Sequence, residues 1–273
     1  MGMCVDALTR NPERAAELAG LGVGTVVADL AENSWHGCIA PGPELVLNCV
    51  SSGGGSNGYR QSYVDGMQSI LAWARSGGAG TFVYTSSTSV YPQTGGICVD
   101  ETASTEGAGE NGRTLIEAES LLKNAGPVCG RWFILRLAGI YGPGRHHLLD
   151  QIRAGAAEIA GSGGHRLNLA HRDDIVAAIW AAFTSPAHVR DRIFNVADDA
   201  PATKAEVVQW LAARIGRMPP GFSGGLANRR SGFAEPLDRL VGNDRLKADL
   251  GWRPKYPSFR EGYTNVLQIT ERQ

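Results

Sequence analysis

Short apolar runs that alternate with helical segments are the feature of this sequence that most restricts its fold. The helical segment between the third and fourth runs places Tyr63, Met67 and Ile70 on one apolar stripe, as expected for a helix that packs on a sheet. The run LVLNCV is nearly all apolar, which is typical of a strand covered on both faces. This alternation predicts an α/β fold with a largely parallel sheet. The predicted strands are Val5–Thr9, Gly24–Leu30, Leu45–Val50, Thr81–Ser87 and Arg131–Leu137, followed by shorter strands at RLNLAH and RIFNVA.

Capping residues predict where two of the helices begin. Asn11 stands before Pro12 and Glu13, the order expected of an N-cap, a first helical position and an acidic first turn. Farther along, Asp173 and Asp174 precede the apolar run IVAAIWAAF. We expect one of these two aspartates to cap that helix.

Composition and charge exclude several classes of protein. The 273 residues are 43% hydrophobic and 19% charged, which is not the composition of a disordered chain. Lys plus Arg is 26 and Asp plus Glu is 27, so the net charge is 26 − 27 = −1 and nucleic-acid binding is not expected. The five cysteines never form a CxxC pair, which predicts no disulfide framework and no metal site.

The same composition, with no apolar leader, predicts a soluble cytoplasmic protein with no membrane partner. The N-terminus does not have the pattern of a charged leader followed by an apolar run, and no apolar stretch approaches the ~20 residues that span a bilayer.

Five segments, in a fixed order, carry a family resemblance. They are TFVYTSSTSVYPQTGG from Thr81, ILRLAGIYGPGR from Ile134, LNLAHRDDIVAAIWAAF from Leu167, RIFNVADDAPATKAEVVQWLA from Arg192 and LKADLGWRPKYPSFREG from Leu246. Together they resemble the extended short-chain dehydrogenase/reductase family, also called the NAD-dependent epimerase/dehydratase family, and most closely its atypical members. The resemblance implies a Rossmann-type doubly wound sheet in residues 1–197, with a small substrate-side region in residues 198–273 packed on it.

The resemblance also implies a cofactor, NADP or NAD. Arg10 directly follows the first predicted strand, where a basic residue of the family meets the 2′-phosphate of NADP, so NADP is favoured; a solvated arginine is the alternative. Asp29 and Leu30 end the next strand, where the family touches adenine, although a cap or turn is equally expected there. The remaining positions implied along the cofactor path are Val50, Ser51, Ser86, Leu137, Ala138, Ile140 and Tyr141.

One departure from the family concerns the start of the chain. The fold normally begins with a strand, a GxxGxxG turn and a helix, and this turn supports the cofactor's pyrophosphate. Here no GxxGxxG follows any predicted strand, and GGGSNG from Gly53 is interpreted as a loop. We therefore expect an open position in the sheet between the strands at residues 5–9 and 45–50, and weak or absent dinucleotide binding. The hypothesis that follows is an N-terminally shortened version of a longer protein.

A second departure concerns catalysis. Aligning the sequence on the family's YGxSKxxxExxL pattern through Glu119 places Asn111 at the catalytic Tyr and Leu115 at the Lys, and neither can transfer a proton. Ser87 matches the family's hydrogen-bonding Ser. Tyr91 and Tyr141, predicted on loops at strand ends, are weak candidates for a substitute proton donor.

These positions lead to a preferred function and an alternative. The preferred reading is an NAD(P)-dependent epimerase/dehydratase-like protein with an atypical active site, acting on a sugar nucleotide or a similar hydroxylated metabolite. The alternative is a non-catalytic NADP-binding sensor or scaffold, or an inactive family member. Arg229 and Arg230 are candidates to meet an anionic substrate, with a surface pair as the default. A homodimer through the helices at residues 59–75 and 112–123 is an expectation from the family.

Overall fold

A computed structural model describes residues 2–52, 56–224 and 237–270. The start of the glycine cluster at Gly53 and the pair Arg229–Arg230 lie outside these residues. In the described part, strands and helices alternate, which confirms the predicted α/β fold. The strands are β1 (Asp6–Thr9), β2 (Gly24–Val27), β3 (Leu45–Asn48), β4 (Ala79–Ser87), β5 (Ile97–Val99), β6 (Cys129–Leu137), β7 (Gly139–Tyr141), β8 (Glu158–Ile159), β9 (Arg166–Leu167), β10 (Leu169–His171), β11 (Arg192–Val196), β12 (Ala202–Thr203), β13 (Gly221–Phe222) and β14 (Arg239–Val241). The α-helices are α1 (Pro12–Gly20), α2 (Ser56–Arg60), α3 (Gly66–Ala74), α4 (Glu110–Lys123), α5 (His147–Arg153), α6 (Arg172–Thr184), α7 (Lys204–Arg214), α8 (Asp244–Leu250) and α9 (Phe259–Thr270).

The largest sheet has four strands in the order β11-β6-β4-β3. β3 pairs with β4 in parallel, with Leu45 opposite Thr81 and Asn48 opposite Tyr84. Seven of the nine residues of β4 are buried, as expected for a strand covered on both faces. The sheet is thus built as the apolar runs of the sequence predict.

β1 belongs to a different sheet from β3. It pairs in parallel with β2, and within the described residues neither β1 nor β3 has a strand partner on its second edge. One edge of each strand thus lacks a strand neighbour among the described residues, and the expected open position between the two strands stays a prediction. Whether a further strand occupies that position in a longer chain stays a prediction.

The chain divides into two compact units. The first comprises residues 1–84 and 114–133, and its core includes Val64, Met67, Phe82 and Leu122, none of which is exposed. The second comprises residues 85–113 and 134–273. These boundaries differ from the expected functional boundary at residue 197, which stays a prediction.

The core of the second unit lies between its C-terminal helices. α5 packs with α7, and Leu149, Leu211 and Phe259 belong to one buried apolar cluster. Tyr141, at the end of β7, belongs to the same cluster. Local packing therefore fixes the end of a strand that the sequence predicts as a turn.

Two predicted helix features are wrong in detail. The helix expected over residues 59–75 is divided by a π-helical segment, Gln61–Asp65, into α2 and α3. Neither Asp173 nor Asp174 caps α6, because the Nδ1 atom of His171 accepts the backbone N–H of Asp173. Asp174 instead accepts the backbone N–H groups of Lys255 and Tyr256, so its carboxylate joins distant parts of the second unit.

Among the helices of the described residues, none has the length and apolar character required to cross a membrane.

Candidate functional site

In the first unit, Arg10 and Asp29 are brought together at the carboxyl ends of β1 and β2. The turn after β1 is fixed locally: Thr9 Oγ1 accepts the N–H of Asn11, and Asn11 Oδ1 accepts the N–H of Arg14 to cap α1. Arg10 Nη1 lies 3.5 Å from Asp29 Oδ2, and the Arg10 side chain remains 45% exposed. Arg10 therefore presents a half-exposed cation beside the N-terminus of a helix.

Asp29 has a second, structural role. Its Oδ1 accepts the N–H of Ala31 at 3.0 Å, and its Oδ2 lies 3.4 Å from Gln61 Nε2, which donates to it. The two interpretations of Asp29, as a turn-forming residue and as a residue that contacts the adenine of a cofactor, are thus compatible. Asp29 orients Arg10 and fixes the turn after β2 at the same time.

The other predicted cofactor positions of the first unit lie at element ends. Leu30 packs on α3, where a Cβ on Gly66 would lie 3.0 Å from Leu30 Cδ2, and the carbonyl oxygen of Leu30 accepts the indole N–H of Trp35. Val50 and Ser51 follow the end of β3, and the N–H of Val50 donates to Asn48 Oδ1 at 3.3 Å. Ser51 is exposed. Their role toward a cofactor stays a prediction.

In the second unit, Ser86 and Ser87 end β4. Ser86 is buried, whereas Ser87 is half-buried and caps a short 3-10 turn, Thr88–Val90, by accepting the N–H of Ser89 at 3.2 Å. Accepting this bond leaves the hydroxyl proton of Ser87 available to donate. Ser87 is therefore a hydrogen-bond donor at the carboxyl end of a central strand.

Asn111 lies at the start of α4, next to a close backbone contact. A Cβ on Gly112 would lie 2.7 Å from the carbonyl oxygen of Ser89, so only glycine allows this approach. The contact holds the first turn of α4, and with it Asn111, against the turn that follows Ser87. An amide at this position can form hydrogen bonds but cannot release a proton at neutral pH.

Leu115 lies in the first unit and is 1% exposed. A buried aliphatic side chain can neither hold a ribose hydroxyl nor lower the pKa of a neighbouring group. Position 115 therefore has a packing role.

The predicted positions after β6 are part of the packed interior of the second unit. Leu137 and Ala138 are buried, and the N–H of Ala138 donates to the carbonyl oxygen of Val196 at 3.0 Å. Ile140 is half-buried within β7. Leu137 ends β6 and Ala138 joins it to β7, and the side chains of these residues are largely covered.

Tyr141 and Tyr91 are buried, contrary to the expectation that they lie on open loops. Tyr141 is 2% exposed, its hydroxyl lies against Gly262 and 3.4 Å from the carbonyl oxygen of Ser258, and burial raises its pKa. Tyr91 has no exposed surface, and burial likewise raises its pKa. A buried phenol with a raised pKa is a poor proton donor to a substrate, so the structure favours packing roles for both residues.

Tyr91 belongs to a buried polar network that sequence reasoning missed. Its hydroxyl donates to Asn195 Oδ1 at 2.8 Å and accepts a hydrogen bond from Arg136 Nη1 at 2.9 Å. The N–H of Asn195 donates to Glu101 Oε1 at 2.7 Å, and burial raises the pKa of Glu101. The available signal was Arg136 and Asn195 themselves, since polar residues inside apolar strands require buried partners.

No group of three or more metal-ligating side chains is found in the part of the chain that the structure describes.

Comparison with known proteins identifies the family. The model of the NAD dependent epimerase/dehydratase family matches residues 3–197, and the chain belongs to this family. This confirms the resemblance carried by the five sequence segments and the Rossmann-type class of the fold.

Two curated proteins and one solved structure illustrate the relationship. "Protein YeeZ" of Escherichia coli K12 is 31% identical over 213 residues, which cover 78% of this chain and 70% of that protein. A "2-alkyl-3-oxoalkanoate reductase" of Stenotrophomonas maltophilia is 27% identical over 97% of this chain and 88% of its own. A dTDP-glucose 4,6-dehydratase of Streptomyces venezuelae, solved with NAD bound, has a TM-score of 0.82 at 18% identity and covers 99% of this chain and 88% of its own; at this identity it shows the shared fold alone.

Proposed function

We propose that this chain is an NAD(P)-dependent epimerase/dehydratase-like protein with an atypical active site, and that it acts on a sugar nucleotide or a similar hydroxylated metabolite. The observation that carries the proposal is the Ser87 turn at the end of β4, against which Gly112 holds the start of α4. Ser87 supplies a donor for a substrate oxygen. The reductase name of the Stenotrophomonas maltophilia relative supports an oxidoreductase activity.

The residues of the first unit fit the adenosine half of NADP. Arg10 offers a half-exposed guanidinium whose only ion pair among the described residues is the 3.5 Å contact with Asp29. An incoming 2′-phosphate would form a shorter charge-assisted contact there. When bound, the nicotinamide ring of such a cofactor donates or accepts a hydride.

The sequence offers no glycine-rich turn to bind the pyrophosphate of the cofactor. No GxxGxxG sequence occurs after a strand in these 273 residues, so the tight backbone approach of the family is not encoded here. Binding by this chain is therefore expected to be weak and to depend strongly on Arg10.

The chemistry at the substrate is limited by Asn111 and Leu115. Ser87 and the Asn111 amide can orient and polarise a substrate oxygen, but neither is a base near neutral pH. Steps that need a tyrosine to exchange a proton with a hydroxyl are not expected. The same two residues favour the alternative, a non-catalytic NADP-binding sensor.

Tryptophan fluorescence separates these functions. Trp35 donates its indole N–H to the carbonyl oxygen of Leu30, so its emission should report ligand binding at the end of β2. The chain is titrated with NADPH and with NADH, and turnover is followed with a panel of sugar nucleotides and hydroxylated metabolites. Ser87→Ala is compared with Ser120→Ala, whose hydroxyl donates to the carbonyl oxygen of Ile116 within α4.

Each outcome assigns a function. Binding with turnover that is lost in Ser87→Ala, but kept in Ser120→Ala, supports the enzyme. Binding without turnover supports the sensor. Robust turnover that survives Ser87→Ala contradicts the proposed site, and failure to bind either nucleotide contradicts both functions for this chain.

A further inference from the structure

Arg239 is a buried cation in the second unit, close to the Ser87 turn. It lies in β14 opposite Ile97 of β5, and its carbonyl oxygen accepts a hydrogen bond from Asn168 Nδ2 at 2.9 Å. Its Nη2 donates to the carbonyl oxygen of Thr88 at 2.7 Å. Thr88 directly follows Ser87, so the guanidinium is fixed beside the residue that is proposed to hold the substrate.

The guanidinium of Arg239 is only partly satisfied. The residue is 6% exposed, and neither Nε nor Nη1 has a hydrogen-bond partner among the described residues. Burial lowers the pKa of Arg239 to about 10, and the phenol of Tyr91 opposes this shift. No carboxylate of the described residues compensates the charge.

Neighbouring arginines of the same unit are paired. Arg166 contacts both carboxylate oxygens of Asp238. Arg245 lies 3.6 Å from Glu101. Leaving a buried charge without a partner is costly, so a position of this kind requires a compensating charge. The described residues do not supply an anion to pair with Arg239.

We propose that Arg239 binds an anionic group of the substrate, a carboxylate or a phosphate, while Ser87 holds a carbonyl or hydroxyl oxygen of the same molecule. The inference rests on the proposed function. It restricts the proposed substrates to metabolites that carry a carboxylate or a phosphate. Nη1 and Nε of Arg239 are the available donors, while Nη2 keeps its hydrogen bond to the carbonyl oxygen of Thr88. Charge-assisted hydrogen bonds of this kind are strong when they are shielded from water.

Both free nitrogens are covered from solvent in the structure. An anion therefore reaches them by a local opening of the surrounding groups, and once bound it should hold the Thr88–Val90 turn in place. Slower hydrogen exchange at the N–H groups of Ser89 and Tyr91, which close this turn, is the expected local signature.

The test uses simple anions and no cofactor. The unfolding temperature of the complete chain is measured in increasing sodium phosphate, sodium acetate and sodium chloride at equal ionic strength. Wild type is compared with Arg239→Met and with Arg153→Met, a control that removes an arginine bonded only to the Thr270 hydroxyl among the described residues.

We expect a saturable rise of the wild-type unfolding temperature in phosphate or acetate above that in chloride, an equal rise in Arg153→Met, and none in Arg239→Met. A rise in phosphate alone assigns a phosphorylated substrate, and a rise in acetate alone assigns a carboxylated one. If Arg239→Met does not fold, Arg239→Lys replaces it and should weaken apparent anion binding about 10-fold.

The proposal is overturned if the wild type shows no rise above chloride, or if the Arg239 variants show the full rise. Because no nucleotide is present, either result is independent of whether the chain binds NADPH. Failure of this inference is thereby distinguished from failure of the proposed function.

Discussion

The backbone of Gly112 lies directly against the carbonyl oxygen of Ser89, with a would-be Cβ only 2.7 Å from that oxygen and 3.0 Å from Ala108 Cβ. This contact fixes the first turn of α4 relative to the turn that follows Ser87. Asn111, which the alignment places at the family's tyrosine, is therefore held close to the turn that follows Ser87.

Replacing Gly112 with alanine should disturb both packing and position. The added methyl group has to displace backbone atoms, so we expect Gly112→Ala to lower the free energy of unfolding by about 1–3 kcal/mol. Urea-induced unfolding measures this. Gly20→Ala is the control, because a Cβ on Gly20 meets nothing within 4 Å, and it should be neutral or slightly stabilising. Equal effects of the two substitutions would contradict the close contact.

Placing at position 115 the lysine that the alignment with the family implies should destabilise the protein rather than activate it. Leu115 is 1% exposed, and a lysine there would bury an unpaired ammonium group at a cost of about 3–5 kcal/mol. Leu115→Met, which conserves volume and polarity, should cost less than about 1.5 kcal/mol. Thermal or urea unfolding of the two variants checks this difference. A Leu115→Lys protein as stable as the wild type would show that the position is not a packing site.

Local signals in the sequence predicted the helices and strands well. The wrong assignments concern residues whose bonding partners are distant in the sequence. The Asn11 cap of α1 and the apolar β4 depend on neighbouring residues and were found as predicted. Asp174 follows the same local pattern but bonds to Lys255 and Tyr256, about 80 positions away, so no helix-capping rule could assign it.

The candidate site shows the same limit. The alignment placed Ser87 at the end of its strand. The Tyr91 hydroxyl bonds to Asn195 and Arg136, and only tertiary structure brings these residues together. A tyrosine after a strand end is equally compatible with an exposed proton donor and a buried anchor. Burial decided between them, and burial at this position depends on the packing of the whole second unit.

Arg10 should control the preference between NADPH and NADH. Its guanidinium is 45% exposed and only loosely paired with Asp29, so Arg10→Ala should weaken NADPH binding about 10- to 100-fold and leave NADH binding nearly unchanged. Fluorescence titration with both nucleotides provides the measurement. Arg75→Ala, at an exposed position after α3, is the control for loss of one positive charge and should change neither affinity. A parallel loss for NADPH and NADH would remove Arg10 from the 2′-phosphate contact.

Asp198 should make the stability of the protein fall as the pH rises. It is 4% exposed, and burial, with Asp199 and Asp174 nearby, raises its pKa to about 8. The unfolded chain releases this proton near pH 4. Between about pH 4 and pH 8 the folded state therefore binds more protons than the unfolded state, and stability declines by up to about 1.4 kcal/mol per pH unit from this group.

Asp198→Asn tests this origin of the pH dependence. An amide stays neutral, and its carbonyl oxygen can still accept hydrogen bonds from the backbone N–H groups that Asp198 uses, at Ala200 and Leu169. The free energy of unfolding is measured in urea from pH 5 to pH 9. We expect it to fall less steeply with pH in Asp198→Asn, so the stability of the variant relative to the wild type increases as the pH rises. Asp249→Asn removes a partly exposed carboxylate that lies 3.9 Å from Arg192, and it should follow the wild-type slope. Profiles for Asp198→Asn and wild type that stay parallel across this range would show that Asp198 is already ionised in the folded protein.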